Sequence, residues 1–216
     1  MSLDVSRPVL YSFRRCPYAM RARLAILASG LKVELREIVL REKAPEFLAS
    51  SPKGTVPVLV TPSAVIDESL ELMLWALNRS DSESWLAMSE AGYEWIARCD
   101  GPFKTALDHT KYAVRYPDLD PAQERGRAAE FLSDLNLQIA GSDWMFGATC
   151  TLADMAIVPF IRQFANSDRG WFDAQPLPNV QRWLSRFLAS DRFVSIMTKY
   201  PKWQAGDRPV FFPNAA

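Results

Sequence analysis

Val9-Leu10-Tyr11-Ser12-Phe13, then Arg14-Arg15, then Cys16-Pro17-Tyr18-Ala19-Met20, set a strand and a helix back to back with a thiol at the joint. The first five residues are rich in β formers and read as a short strand. Pro17 suits the first helical position, where a missing N–H costs nothing. Met20, Leu24, Leu27 and Leu31 then recur on one helical face, and Gly30 is a natural C-terminal stop. Cys16 therefore stands at a helix N-terminus, where unpaired N–H groups and the macrodipole favour a thiolate. Arg14, Arg15, Arg21 and Arg23 make its sequence neighbourhood cationic. A lone cysteine is more often an inert small hydrophobe; the strand-Cys-Pro-helix setting favours a reactive one. Cys99, on an apolar helical stripe, and Cys150, just before a helix cap, read as packing residues.

Outward from this joint, Val33 to Val39 reads as a second strand and Ala44 to Ser50 as a short helix. Val56 to Val60 and Ala64 to Asp67, joined by Thr61-Pro62-Ser63, must pair as an antiparallel hairpin. From Ser69 a helix carries Leu70, Met73, Leu74 and Leu77 at i, i+3, i+4 and i+7. The order is βαβα-ββα. Asn78 to Ser84 is a polar connector, which divides the chain into an α/β domain over 1–80 and an all-helical domain over 81–216. In the second part Tyr93, Ile96, Cys99, Phe103 and Leu107 follow helical spacing, with Pro102 as a kink or break. Asp120-Pro121-Ala122-Gln123 and Thr151-Leu152-Ala153-Asp154 are helix-start patterns. Asn179 to Leu188 and Arg192 to Tyr200 close the helices, and Pro201 to Ala216 reads as a Pro-rich, aromatic tail.

Composition narrows the function. Of 216 residues, 25 are Lys or Arg and 25 are Asp or Glu, a zero net charge that argues against a nucleic-acid partner. Hydrophobic residues at 49% fill a sizeable core. The most apolar run, Met155 to Ile161, is broken by Pro159 and too short to span a bilayer, so no membrane is expected. Met1 to Arg7 lacks a signal-peptide core, and a cytoplasmic protein is expected. Three widely spaced cysteines do not make a disulfide framework. With His109 as the single histidine, usual zinc spacings cannot be assembled and no metal is expected. A Ser-His-Asp triad would depend on the same residue, and no nucleophile elbow is present; His109 reads as a polar helix or loop residue.

Cys16-Pro17-Tyr18-Ala19, Val56-Pro57 and Glu68-Ser69 on βαβα-ββα resemble the thioredoxin-like domain of the cytosolic glutathione S-transferase superfamily. Trp144-Met145-Phe146-Gly147 through Thr151-Leu152-Ala153-Asp154 resembles the segment that caps and staples a buried helix in that family's all-α C-terminal domain. The resemblance runs from about Pro8 to Trp203, and Cys-Pro-Tyr-Ala is similar to the omega-like, glutaredoxin-like subclass. It implies a thioltransferase or reductase in which Cys16 takes up a glutathionyl group as a mixed disulfide and a second glutathione releases it. Ala19 supports a monothiol cycle independently, because a two-cysteine motif would place its resolving thiol there.

The same resemblance assigns glutathione, the cosubstrate, to Tyr18, Lys43, Val56, Pro57, Glu68 and Ser69. Pro57 is expected in cis, exposing the Val56 backbone to pair with the cysteinyl part of the tripeptide; a trans edge-strand proline is the alternative. Glu68 and Ser69 suit the γ-glutamyl ammonium and carboxylate, or serve as an ordinary cap. Lys43 suits the glycyl carboxylate or is simply solvated, and Tyr18 shapes the site or packs the helix start. Phe13, Arg14, Tyr112, Tyr116, Trp171 and Phe172 are candidate walls of a second-substrate pocket, aromatics at helical spacing being more often core. Arg14 and Arg15 either attract an anionic acceptor or are solvated.

Two other readings stay open. In one, the site activates glutathione to attack an electrophile without covalent Cys16 chemistry, with Ser12 as a potential helper. In the other, the fold is a non-catalytic binding or regulatory module. The resemblance also implies a homodimer, with a monomer the alternative.

Overall fold

The computed structural model describes residues 7–213; the leader reading of residues 1–6 and the last tail residues, 214–216, fall outside it. The described residues form two compact units, one from 7–83 with 191–213 and one from 84–190.

The first unit opens with β1 (Val9–Ser12), α1 (Pro17–Ser29), β2 (Val33–Glu37) and α2 (Pro45–Ser50). It continues with β3 (Val58–Val60), β4 (Val65–Ile66) and α3 (Ser69–Leu77). Pro17 occupies the first turn of α1, and Gly30 ends it at φ 68°, its N–H donating to the Leu27 carbonyl at 3.2 Å. Leu31 therefore lies beyond the helix. β1 and β2 are parallel, as a βαβ crossover demands, while β3 runs antiparallel to both β1 and β4, so the expected hairpin forms. β3 starts at Val58 rather than Val56, since Pro57 has no N–H to give a ladder. Val9, Tyr11, Val58 and Val60 pack with Ala19, Ile38, Phe47 and Val56 into a buried core.

The second unit is helical: α4 (Glu90–Arg98), α5 (Lys104–Lys111), α6 (Pro121–Gln138), α7 (Leu152–Ala165), α8 (Arg169–Asp173) and α9 (Pro178–Leu188). α4 and α5 are joined by a π-helical turn, Cys99–Phe103, which accommodates Pro102 without ending the helical run. Asp120 caps α6 by accepting the Ala122 N–H at 2.9 Å. α7 is the buried centre of this unit. At its start the Asp154 carboxylate accepts from the Thr151 N–H and hydroxyl, the Met145 N–H and the Trp183 indole at 2.9–3.0 Å.

The chain then returns to the first unit as α10 (Asp191–Ile196) and β5 (Phe211–Phe212). β5 pairs antiparallel with β2, giving a five-stranded sheet in the order β4-β3-β1-β2-β5. This differs from the sequence reading, which ran an all-helical region to residue 216. A two-residue strand among Pro201, Pro209 and Pro213 has too little periodicity to register. Trp203 anchors the return: its N–H donates to the Glu37 carbonyl at 2.9 Å, its ring meets Tyr11 edge-on at 5.9 Å, and the Arg36 guanidinium lies over it at 4.4 Å. Among the described residues no helix is long and apolar enough to cross a membrane, and no cluster of three metal-ligating side chains occurs.

Candidate active site

The first turn of α1, the loop before β3 and the start of α3 converge on a cavity of about 450 Å³. Its lining includes Cys16, Tyr18, Lys43, Val56, Pro57, Glu68 and Ser69, the thiol and the six residues that the sequence resemblance assigns to glutathione. Cys16 caps α1 in an extended conformation, φ −75° and ψ 125°, with its N–H donating to the Phe13 carbonyl at 2.9 Å. Its partly buried thiol, in no disulfide, donates to the Val56 carbonyl at 3.7 Å. The Val56–Pro57 peptide bond is cis, the expected isomer. Ser69 opens α3, and its hydroxyl accepts from the Arg21 guanidinium at 3.4 Å.

Sequence reasoning missed Leu40, Lys53, Gly54, Thr55 and Asp67 on the same cavity. Lys53 Nζ lies 3.0 Å from Asp67 and 3.2 Å from Glu68, and these carboxylates hold the ammonium above its ordinary value. Glu68 is thus already paired with a cation of this chain. The available signal was position: Lys53-Gly54 stands one residue before the Val56-Pro57 turn.

The charge around the thiol is arranged differently from the sequence expectation of four local arginines. Arg23 points into the interior, where it pairs with Glu37 and donates to the Ser12 hydroxyl and the Ile196 carbonyl, both at 2.9 Å. Burial pulls its guanidinium below the usual value, and Glu37 acts against that pull. Arg14 donates to the Met197 carbonyl at 3.2 Å, and Arg15 lies over the Phe13 ring at 5.4 Å. Of the four, Arg21 reaches the cavity wall through Ser69; the cations lining it are Lys43 and Lys53. Ser12 is fully buried under Arg23, so its hydroxyl does not face a ligand.

Phe13 and Arg14 do not line this cavity. The other candidate walls belong to the second unit. Tyr112 lies under Lys111 and Arg115, and Tyr116 packs on His109 at 4.4 Å. Trp171 meets Phe164 edge-on at 5.8 Å, and Phe172 is fully buried, which makes it a core residue of its unit. His109 is bonded through Nδ1 to Glu124 at 2.9 Å. Cys99 is buried and Cys150 half-buried.

Comparison with known proteins matches both units. A family model described as glutathione S-transferase, N-terminal domain, covers residues 10–84, and one described as glutathione S-transferase, C-terminal domain, covers 93–186. Glutathione S-transferase U28 of Arabidopsis thaliana is 28% identical over 211 residues, spanning 94% of this chain and 93% of that protein. Elongation factor 1-gamma 3 of Oryza sativa subsp. japonica is 25% identical over 205 residues, 84% of this chain and 49% of that protein. The chain thus spans about half the length of the elongation factor 1-gamma relatives it matches. In solved structures, a glutathione transferase family member from Pseudomonas fluorescens pf-5 with two glutathione bound superposes with a TM-score of 0.77 at 20% identity, over 91% of this chain and 94% of that one. That likeness concerns the fold. With a family model matched on the sheet-bearing unit and another on the helical one, the chain belongs to the glutathione S-transferase superfamily.

Proposed function

We propose that the Cys16 cavity binds glutathione and that the protein is a glutathione-dependent thiol transferase of the omega-like kind. The single observation that carries this reading is the placement of the Cys16 sulfur, at the N-terminus of α1 and 3.7 Å from the Val56 carbonyl beside the cis Pro57. A tripeptide laid along Val56 would pair with its backbone like an added strand, bringing the glutathione sulfur next to Cys16. The α3 start at Glu68-Ser69 suits the γ-glutamyl end, and Lys43 and Lys53 offer cations to the carboxylates.

The cycle balances in two exchanges. The Cys16 thiolate attacks the glutathionyl sulfur of a mixed disulfide; the Cys16–glutathione bond forms, and the acceptor leaves as a thiolate that takes up a proton. A second glutathione thiolate then attacks that bond, releasing oxidised glutathione and restoring the Cys16 thiolate. Position 19 is alanine, so no thiol one helical turn away intercepts the intermediate. The partly buried helix N-terminus favours the anionic sulfur in both steps.

The test is intact mass spectrometry after incubation with oxidised glutathione. Wild type is expected to gain one glutathionyl group, and Cys16→Ser none. Full activity of Cys16→Ser toward an aryl halide would replace this reading with conjugation by enzyme-bound glutathione. A second reading, a binding module without transfer chemistry, draws on the similarity to the elongation factor 1-gamma proteins; failure of glutathione to bind in a calorimetric titration would favour it. A cytoplasmic homodimer is part of the proposal, and sedimentation measures the oligomeric state.

A further inference from the structure

The turn Phe13–Cys16 delivers the sulfur from the end of β1 to the start of α1, and a side chain from outside the turn bonds its backbone. Glu37, the last residue of β2, accepts the Arg14 N–H on Oε1 at 2.7 Å. Its Oε2 pairs with the buried Arg23. Glu37 is itself fixed on both sides: its carbonyl accepts the Trp203 N–H at 2.9 Å, and the following residue, Ile38, donates to the Ser12 carbonyl at 2.7 Å.

We propose that Glu37 is a positioning residue for Cys16, one oxygen tethering the turn that carries the sulfur and the other neutralising Arg23. This rests on Cys16 being the reactive thiol. The Arg14 N–H lies two residues before Cys16, outside α1, and the turn's own closure is the Cys16 N–H to Phe13 carbonyl bond. Without the Glu37 acceptor, the turn hinges between Ser12 and Pro17, and the sulfur moves relative to Val56. A displacement of about 1 Å at a reacting atom is enough to cost a hundredfold in rate. The second oxygen has a different task. Arg23 is fully shielded, and a buried guanidinium that loses its carboxylate is a stability defect wherever it sits.

The two tasks separate by substitution. Glu37→Gln keeps an acceptor for the Arg14 N–H but removes the charge, whereas Glu37→Ala removes both. Both variants should be less stable to urea than wild type. Glu37→Gln should keep kcat for glutathione-dependent reduction of bis(2-hydroxyethyl) disulfide within about threefold. Glu37→Ala should lose about tenfold or more in kcat with the KM for glutathione nearly unchanged. A merely structural role predicts equal kcat losses in the two variants, and that result overturns the proposal. Should Glu37→Ala fail to fold, Arg23→Met/Glu37→Ala and Arg23→Met/Glu37→Gln remove the buried charge and differ only in the acceptor; the same kcat contrast is expected between them. Amide hydrogen exchange at Arg14 and Cys16 is read in parallel. It should be fast in the alanine variants and slow in wild type; equal protection also overturns the proposal. A wild type that forms no glutathionyl adduct but whose Arg14 amide loses protection in Glu37→Ala would sink the thiol-transfer reading while leaving the tether in place.

Discussion

At position 54 the backbone stands at φ +63°, and the Lys43 side chain crosses above it so closely that a Cβ would lie 2.7 Å from Nζ. The left-handed backbone suits glycine and costs other residues roughly 1–2 kcal/mol, whereas the lysine end can swing aside. Gly54→Ala should therefore unfold about 1–2 kcal/mol more easily in urea and displace Lys43 from the cavity, raising the KM for glutathione. Lys43→Met should raise that KM severalfold while leaving the urea midpoint unchanged. A Lys43→Met variant with wild-type KM would remove this lysine from the proposed glutathione site. The residues most legible in the sequence were those with a local grammar: Cys16 between a strand and Pro17, Val56 before Pro57, Ser69 at a helix start. Lys53 and Glu37 have none. Each acts through a partner 14 or more residues away, Glu68 and Arg23 respectively, and no spacing rule brings those pairs together.

Helix α7 depends on one carboxylate. Asp154 holds its first turn and also receives the Met145 N–H and Trp183 indole, so its loss strands buried donors from three parts of the second unit. Asp154→Ala should cost about 3–5 kcal/mol, measured by urea unfolding. Burial pushes this carboxyl above its ordinary value, and its hydrogen bonds to Met145, Thr151 and Trp183 pull it back. The folded protein thus keeps this proton to higher pH than the unfolded chain. Its contribution to stability is greatest below the unfolded value of about 3.9 and falls as pH rises through the folded one. The stability of wild type relative to Asp154→Asn should decline with pH across that window; a rise would reverse the assignment. The Thr151-to-Asp154 cap was readable as a four-residue pattern. The inward arginines of α1 were not. Arg21 and Arg23 sit among Ala22, Leu24 and Ala25, and a helix buried on nearly every side has no polar face to which periodicity could assign them.

On the scale of the molecule, the first unit is assembled from both ends of the described chain. Phe212, 1% exposed in β5, fills the sheet edge beside β2. Phe212→Ala should cost about 3 kcal/mol in urea unfolding, an effect that a loosely attached tail would not show. The fold class was legible because strand and helix spacings alternate up to about residue 77 and helical spacing alone follows from about residue 90. The return of 191–213 to the sheet was not, since it relies on pairing between Val33 and Phe212 across the whole intervening unit.

That return has a consequence during synthesis. A ribosome must translate residues 84–190 before it reaches the strand that closes the sheet, which at ordinary elongation speeds leaves the β2 edge bare for on the order of ten seconds. The nascent polypeptide spends that interval with an open backbone edge that invites pairing with neighbouring chains, and it is there that chaperones would have the most to protect.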